Sequence, residues 1–453
     1  MKAINPATGK LIHQYNQHTD EEVASIIQAV DQAFQPWRRS SFSTRRLLMQ
    51  KAAQILRDRA EQYGRLITLE MGKVLAEGIA EVNKCVLVCD YYAENAEAHL
   101  ADQEIPTEAL NSFITFQPIG TVLAVMPWNF PFWQVFRFAA PTLMAGNTGI
   151  LKHASNVPGC ALAIEEVFRD AGFPPDTFRT LLIGGSRVAD VIGNPAVKAV
   201  TLTGSTPAGR EVAAAAGRAI KKTVLELGGS DPYVILEDAD LPMAAASCAA
   251  SRLLNSGQSC IAAKRFVVVK DVAEEFTRLL VEEMASRKMG DPLQDGIHMG
   301  PMARTDLRDE LHQQVLDSIE AGAELVLGGV CPSGEGSYYP ATVLKNVNSG
   351  MPAYDDEMFG PVASIITAKD EADAIRIAND TVFGLGAAVY TRDVARGQRI
   401  ATEELQAGCC FVNDFVKSDP RLPFGGIKES GYGRELHALG IREFVNQKTV
   451  LVR

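Results

Sequence analysis

The stretch AVKAVTLTGSTPAG, residues Ala196–Gly209, decides the fold class of this chain. Its apolar part, Ala196–Thr203, predicts a strand, and helical spacing predicts a helix over Arg210–Ile220, after the glycines. Another strand is predicted at Thr223–Leu227. The same alternation precedes this stretch, with a strand, a helix, a strand and a short helix at Gly149–Lys152, at Pro158–Ala171, at Phe178–Ile183 and from Arg187 onward. Because such repetition is typical of a parallel sheet covered on both faces, the sequence predicts an α/β fold.

The remaining segments divide into a helical N-terminal quarter and a second α/β region. Apolar residues recur at helical spacing after Asp20 and again after Ser43, whereas Phe113–Val125 predicts exposed strands. From Asp231 the alternation begins again, with helices predicted at Leu241–Leu254, Ala273–Met289, Leu307–Ala321 and Glu371–Asn379. Two α/β layers therefore follow each other, with a boundary near Gly228–Gly229.

Composition excludes several classes of protein. The 453 residues are 47% hydrophobic and 22% charged, which is typical of a globular chain with sizeable cores. Lys and Arg number 44 against 55 Asp and Glu, a net charge of −11 that is unfavourable for nucleic-acid binding. No apolar run approaches the ~20 residues of a membrane span, and the first residues, MKAINPATGK, lack the apolar core of a signal peptide.

Cysteine and histidine usage indicates a reducing compartment and no metal site. The eight cysteines are scattered along the chain, which does not suggest a disulfide framework. The seven histidines form no close pairs, so no zinc spacing is present. We therefore expect a cytoplasmic protein without a bound metal.

The familiar nucleotide and hydrolase signatures are missing. No G-x-G-x-x-G, no Walker A loop and no G-x-S-x-G motif occurs. The glycines of Gly204–Gly209 lie between a predicted strand and a predicted helix, where backbone N–H groups can approach a phosphate. An ordinary tight turn explains them equally well.

Three further motifs contain residues that can take part in catalysis. Cys260 ends GQSC, where a cysteine after a glycine turn can form a reactive thiolate, although most cysteines are small buried hydrophobes. Glu226 precedes two glycines at a strand end, where it can act as a base or as a surface cap. Asn129 lies between two prolines in PWNFP and can donate to an oxyanion or to its own backbone.

These motifs, in this order, resemble the aldehyde dehydrogenase superfamily. The similarity covers essentially the whole chain and includes Asn5–Gly9, Lys152, Gly204–Gly209, Glu226–Gly229, Cys260, Glu357–Pro361 and Pro423–Gly426. It implies a Rossmann-like cofactor domain at 1–98 and 119–228, and an α/β catalytic domain at 229–435. A small β oligomerisation module is implied at 99–118 and 436–453, and an exposed strand pair there favours a homodimer or homotetramer.

The resemblance also implies the catalytic roles. Cys260 attacks the aldehyde to form a thiohemiacetal, and Asn129 together with the backbone N–H of the cysteine stabilises the oxyanion. Hydride transfer to the nicotinamide leaves a thioester, and Glu226 activates the water that hydrolyses it. Relatives that pass the acyl group to coenzyme A generally lack this carboxylate, so the chain is similar to the hydrolytic type.

Cofactor residues follow from the same correspondence. It implies that Lys152 and Ser155 contact the adenosine ribose, that Ser205 contacts the pyrophosphate and that Glu357 contacts the nicotinamide ribose. The remaining implied cofactor contacts are Trp128, Gly204, Leu227 and Phe359. Many NAD-preferring relatives have glutamate in place of Ser155, which would repel a 2′-phosphate by roughly 1–4 kcal/mol at ~4 Å. We therefore expect NADP to be preferred and NAD to be accepted.

The substrate prediction depends on Arg137, eight residues after Asn129. In succinate-semialdehyde dehydrogenases an arginine at this spacing binds the substrate carboxylate, and guanidinium geometry suits that role; a structural salt bridge is the alternative. Leu254 replaces the second arginine of part of that group, and Ser418 is a candidate second contact. Succinate semialdehyde is the predicted substrate, with glutarate semialdehyde or uncharged aldehydes as alternatives. A cofactor-free thiol esterase and a non-catalytic binding protein are the alternatives of another class.

Overall fold

The computed structural model describes residues 1–453 and contains eighteen strands and fifteen α-helices. The strands are β1 (Lys2–Ile4), β2 (Leu11–Gln14), β3 (Gln103–Glu104), β4 (Asn111–Pro118), β5 (Thr121–Met126), β6 (Thr148–His153), β7 (Phe178–Thr180), β8 (Val197–Thr203), β9 (Lys222–Glu226), β10 (Asp231–Ile235), β11 (Ala263–Val269), β12 (Glu324–Leu327), β13 (Thr342–Lys345), β14 (Val362–Ala368), β15 (Gly386–Tyr390), β16 (Cys409–Val412), β17 (Gly431–Tyr432) and β18 (Val445–Val452). The helices are α1 (Asp20–Trp37), α2 (Phe42–Asp58), α3 (Ala60–Met71), α4 (Leu75–His99), α5 (Trp133–Met144), α6 (Pro158–Asp170), α7 (Val188–Gly193), α8 (Thr206–Arg218), α9 (Leu241–Leu253), α10 (Lys270–Ala285), α11 (Thr305–Glu320), α12 (Pro352–Asp355), α13 (Glu371–Asn379), α14 (Val394–Arg399) and α15 (His437–Ile441). No helix combines the length and the apolar character needed to cross a membrane.

The first sheet has six strands in the order β17-β9-β8-β5-β6-β7, and all its pairs are parallel except β17 with β9. Its central strands are almost entirely buried, and the innermost apolar run is β5, TVLAVM. The prediction of exposed strands over Phe113–Val125 was wrong for its second half. Gly120, with a φ of +133°, separates the mostly half-buried β4 from β5, which lies between β6 and β8 inside the sheet.

The second sheet has seven strands in the order β12-β13-β14-β11-β10-β15-β16. The chain leaves the first sheet at Glu226 and enters the second at Asp231, on either side of the predicted boundary. It returns to the first sheet at β17, where a side chain on Gly431 would overlap the Leu225 carbonyl oxygen. The chain therefore passes between the two sheets twice, at Glu226–Asp231 and again before β17.

The third sheet is small and has the order β18-β4-β3, with Val445 opposite Pro118 and Val452 opposite Asn111. Strand β18 is an edge strand and most of its residues are exposed. Antiparallel pairing along its whole length joins the C terminus to the first half of the chain.

The N-terminal helices include two that the sequence did not reveal. Helix α1 begins at Asp20 as predicted, with a capping box between Thr19 and Glu22, and α2 begins one residue after its N-cap Ser41. Helices α3 and α4 follow and pack against each other. Helix α4 has 25 residues and packs against α2 and α5 as well as α3. Its position brings several of its side chains to the candidate site.

Candidate active site

An unusual backbone positions Cys260. Three consecutive residues, Asn255, Ser256 and Gly257, have left-handed φ angles of 54°, 52° and 75°. A side chain on Gly257 would overlap Gly360, so only glycine fits there. The backbone N–H of Asn255 donates to Glu77 at 3.0 Å, and the Ser256 hydroxyl donates to the Gly300 carbonyl at 2.9 Å. These bonds stabilise a conformation that costs free energy in isolation.

Cys260 borders two cavities and is the one residue that these two share. One cavity, of about 390 Å³, is lined by residues that include Trp128, Asn129, Gly204, Ser205, Leu227, Glu357 and Phe359. The other, of about 180 Å³, is lined by residues that include Lys84, Phe130, Trp133, Arg137, Phe415, Ser418 and Phe424. We call them the cofactor-side and the substrate-side cavity. A thiol between two cavities can react with a molecule in one while a second molecule occupies the other.

A buried lysine connects the cysteine loop to Glu357. The Lys264 ammonium donates to the carbonyl oxygens of Ser259 at 2.9 Å and Cys260 at 2.8 Å, and lies 3.4 Å from the Glu357 carboxylate. Burial raises the pKa of the Cys260 thiol to about 12, although the charges of Arg137 and Lys264 act to lower it. The thiol is therefore protonated at neutral pH in this arrangement. Sequence reasoning gave Lys264 no role.

Asn129 lies beside Cys260 on the cofactor-side cavity. Its side-chain nitrogen donates to the backbone carbonyl of Gln258 at 3.1 Å, and its backbone carbonyl accepts from the side-chain nitrogen of Asn255 at 2.8 Å. An amide nitrogen carries two N–H groups, so one remains for a ligand. The residue is buried and its backbone is fixed, which suits a preorganised donor.

Glu226 is close to this site but borders neither cavity. It is buried, and both carboxylate oxygens lack a hydrogen-bond partner. Its side chain points toward Gly425, where an added Cβ would lie 2.7 Å from Oε1. Burial, and then the neighbouring charge of Glu435, raise the pKa of Glu226 well above its usual value. The structure therefore shows Glu226 in a position that favours its protonated form.

Arg137 borders the substrate-side cavity but is already paired. It forms a buried ion pair with Glu435, donates to the Thr203 hydroxyl at 3.4 Å and lies 4.8 Å from the centre of the Phe424 ring. The structural salt bridge, the alternative to a substrate contact, is thus present in this conformation. Ser418 borders the same cavity, as a substrate contact should.

Lys84 is a further residue of this cavity that sequence reasoning missed. Its ammonium donates to the Ser418 hydroxyl at 2.8 Å and lies 4.4 Å from the centre of the Trp133 ring. The signal was the spacing of Glu77, Glu81 and Lys84, which places them on one face of a helix. Without a prediction of α4, that spacing had no meaning.

The residues predicted to bind the cofactor border two neighbouring cavities. Ser205 is the N-cap of α8 and makes no side-chain cap bond, which leaves its hydroxyl and the first N–H groups of the helix for a phosphate. A side chain on Gly228 would overlap the Glu357 carboxylate, so the glycine leaves the space that this carboxylate occupies. Lys152 and Ser155 border a third cavity of about 710 Å³, which shares Trp128 with the cofactor-side cavity. The Lys152 ammonium is buried without an ion pair, as expected of a group that meets an anion.

A model of the aldehyde dehydrogenase family matches residues 1–450. The chain belongs to the aldehyde dehydrogenase family. The resemblance inferred from the motifs is confirmed, and so is the α/β fold class. Members of this family are oxidoreductases that convert aldehydes to acids.

Relatives of this aldehyde dehydrogenase cover its full length. A probable succinate-semialdehyde dehydrogenase (NADP+) of Synechocystis sp. is 51% identical over 449 residues, which cover 99% of each chain. Succinate-semialdehyde dehydrogenase (NADP+) 1 of Mycobacterium tuberculosis is 47% identical over 454 residues, again with 99% of each chain covered.

Solved structures have the same fold. The succinic semialdehyde dehydrogenase of Streptococcus pyogenes, in complex with NADP+, superimposes with a TM-score of 0.97 at 35% identity and covers 100% of this chain and 99% of its own. Betaine aldehyde dehydrogenase of Staphylococcus aureus gives a TM-score of 0.96 at 30% identity, covering 100% of this chain and 91% of its own. Because these two enzymes have different substrates, the fold does not decide the substrate.

Proposed function

We propose that this aldehyde dehydrogenase oxidises succinate semialdehyde to succinate, with NADP as preferred acceptor and NAD as a second one. The names of the relatives at 47% and 51% identity support the substrate and the cofactor. The observation that carries the proposal is the position of Cys260 between two cavities, one with cationic and hydroxyl groups and one with a phosphate-binding helix start. A small acidic aldehyde and a dinucleotide match these two cavities.

In the first step the Cys260 thiol gives its proton to solvent, its sulfur attacks the aldehyde carbon, and the carbonyl electron pair moves to the oxygen to give the thiohemiacetal as an oxyanion. The free N–H of Asn129 and the backbone N–H of Cys260 stabilise the oxyanion, and loss of one such donor costs about 3–4 kcal/mol. NADP, when bound, supplies the acceptor for the hydride that leaves this carbon. Glu357, joined to Lys264 and to the Gly229 N–H at 3.1 Å, is preorganised to bind the nicotinamide ribose. Phe359 and Trp128 lie beside it with their rings edge to face.

The second step releases the acid from the cysteine thioester. Glu226 acts as the base that activates water, and it must turn from Gly425 toward Cys260 and lose its proton to do so. Its high pKa makes it a strong base once it faces the thioester. A carboxylate that alternates between a buried position and the thioester does not obstruct the cofactor during hydride transfer.

Cofactor preference follows from Ser155 and Lys152. Both border the third cavity, so a 2′-phosphate placed there meets an unpaired ammonium and a hydroxyl donor. Gly204, Ser205 and Leu227 line the route from this cavity toward Cys260. The substrate carboxylate lies in the substrate-side cavity, where Arg137 contributes positive charge and Ser418 contributes a hydroxyl.

Two further proposals concern the assembly and its location. The exposed edge strand β18 favours pairing with another copy, and thus a homodimer or homotetramer. All eight cysteines are free thiols, which favours the cytoplasm.

The test compares succinate semialdehyde with butyraldehyde, an uncharged aldehyde of equal carbon number, using NADP and NAD. We expect a higher kcat/KM for the acidic aldehyde and for NADP, and no activity for Cys260→Ala. Equal turnover of both aldehydes would overturn the substrate assignment. Release of acid from a thioester substrate without cofactor, and no reduction of NADP, would favour the thiol esterase instead.

A further inference from the structure

Helix α4 presents three charged residues to the site, and two of them have structural partners. Glu77 accepts from the backbone N–H of Asn255 at 3.0 Å. Glu81 accepts from the N–H groups of Phe132 and Trp133 at 2.8 and 3.0 Å, and pairs with Lys73. These bonds fix the cysteine loop and the start of α5. Lys84, one turn further along, forms no ion pair with any carboxylate.

The surroundings of Lys84 leave its charge incompletely solvated. The ammonium has three N–H donors, and Ser418 accepts the single hydrogen bond that it makes within the chain. On another side lies the face of the Trp133 ring. Burial, and then the positive charge of Arg137, lower the pKa of Lys84 to about 8, although the charges of Glu81 and Asp419 act to raise it. An ammonium in this state gains most when an anion binds beside it.

The cavity beside Lys84 leads to the reactive thiol. Lys84, Ser418 and Cys260 all border the substrate-side cavity, which is apolar between them because Phe130, Ile261 and Phe424 contribute to its wall. A molecule with an aldehyde at one end and an anion at the other therefore meets a thiol, an apolar wall and a cation with a hydroxyl. At about 180 Å³, the cavity is smaller than the roughly 300–1,000 Å³ typical of pockets that bind drug-sized ligands, so it suits a small molecule.

Arg137 is less suited to be the primary anion-binding group. Its guanidinium is paired with Glu435, and binding a second carboxylate would bring two anions to one cation. Removal of Arg137 would also leave Glu435 as an unpaired buried charge next to Glu226. These contacts make Arg137 a positioning residue whose charge adds to the field of the cavity.

We propose that Lys84, together with the hydroxyl of Ser418, binds the carboxylate of the substrate and determines the preference for an acidic aldehyde. The inference rests on the proposed function and names the group that recognises the charged end of the substrate. The Ser418 hydroxyl, which now accepts from Lys84, can donate its proton to the same carboxylate. The Trp133 ring, which lines the same cavity, packs against the ammonium and helps to orient it.

The test uses Lys84→Met, which keeps the length of the side chain and removes its charge. The ratio of kcat/KM for succinate semialdehyde to that for butyraldehyde is expected to fall about 10- to 100-fold, the range of a lost hydrogen bond to a charged group. The change should appear mainly in KM for the acidic aldehyde. Lys84→Arg should restore most of the ratio. Ser418→Ala, a small change that is compatible with folding, should lower it about 3- to 10-fold.

Lys417→Met is the matched control, because Lys417 borders the same cavity but its side chain is 53% exposed and its ammonium is paired with Asp414. Its aldehyde ratio should stay within about twofold of wild type. An unchanged ratio in both Lys84→Met and Ser418→Ala, with wild type still preferring the acid, would overturn the Lys84 assignment alone. A wild-type enzyme that does not prefer the acidic aldehyde would overturn the proposed substrate, and the Lys84 assignment with it. Equal losses for both aldehydes in Lys84→Met would show a structural role and also overturn it.

Discussion

The Lys264 ammonium lies 2.8 Å from the carbonyl oxygen of Cys260, and it is buried beneath the loop that carries the thiol. The same ammonium lies 3.4 Å from Glu357 on the cofactor-side cavity. One cation thus connects the nucleophile to the residue proposed to bind the cofactor. Its charge also acts to lower the pKa of the thiol.

Lys264→Met should slow the alkylation of Cys260. Loss of the charge raises the pKa of the thiol further, so the thiolate fraction at pH 8 falls and the rate with iodoacetamide drops about tenfold for each unit of change. The midpoint of urea unfolding should also fall, because buried carbonyl oxygens lose their donor. Lys264→Arg retains the charge and is the control. An alkylation rate equal to that of wild type would contradict the proposed influence of Lys264.

Gly228→Ala should weaken cofactor binding. The new methyl group would overlap the Glu357 carboxylate and displace it from Lys264, with a cost of about 1–3 kcal/mol that corresponds to a 5- to 150-fold rise in KM for NADP. Gly193→Ala is the matched control, since a Cβ there meets nothing within 4 Å. If both variants have the same KM for NADP, Glu357 does not contact the cofactor.

Ser155→Glu should reverse the cofactor preference. The new carboxylate repels a 2′-phosphate by about 1–4 kcal/mol and accepts hydrogen bonds from a free ribose. We expect kcat/KM for NADP to fall about 10- to 100-fold and that for NAD to rise, measured as the ratio of the two. Ser155→Ala should lower the NADP value only slightly. A glutamate variant that still prefers NADP would show that Ser155 does not contact this phosphate.

Sequence patterns predicted the parts of the site that are local in the chain. The strand, glycine turn and helix around Ser205 are contiguous, so they could be recognised from their residues. The GQSC motif alone did not distinguish Cys260 from the other cysteines; the order of all the motifs along the chain did. Lys84 and Ser418 are 334 residues apart, and their contact exists only because the fold brings α4 against the loop between β16 and β17. No local pattern encodes such a contact.

Local sequence patterns also do not predict burial or the direction in which a side chain points. Strand β5 was predicted to be exposed, and its burial follows from its central place between β6 and β8. Glu226 lies at a strand end, as inferred, but its carboxylate points toward Gly425 rather than into a cavity. Its pKa depends on the charges of Glu435 and Arg137, which are distant in the sequence.

Selectivity for the acidic aldehyde should decline above pH 8. The pKa of Lys84 is about 8 and its charged form is the cation, so the anion-binding charge is present below this pH and is lost as the pH rises through it. The charged and titratable neighbours are Arg137 from α5, Glu81 and Cys85 from α4, and Asp419 from the loop before β17. Titration of Cys260 affects both aldehydes, so it cancels in the ratio of their kcat/KM values. A ratio that stays constant from about pH 7 to 9.5 would contradict the prediction.

Glu226→Gln should lower the rate of turnover and raise the stability of the folded protein at pH 8. Glutamine cannot activate water, so steady-state kcat should fall at least about 100-fold, while a first burst of NADPH equal to the active sites remains. The folded state raises the pKa of Glu226 above its unfolded value, so the native protein binds an extra proton between these two pH values. Wild-type stability contributed by this group is therefore fully present at low pH and declines as the pH rises. Glutamine removes that decline, so the variant should have the higher urea midpoint at pH 8, and the difference should vanish below pH ~4. Loss of both the burst and the steady-state rate would place Glu226 before hydride transfer rather than after it.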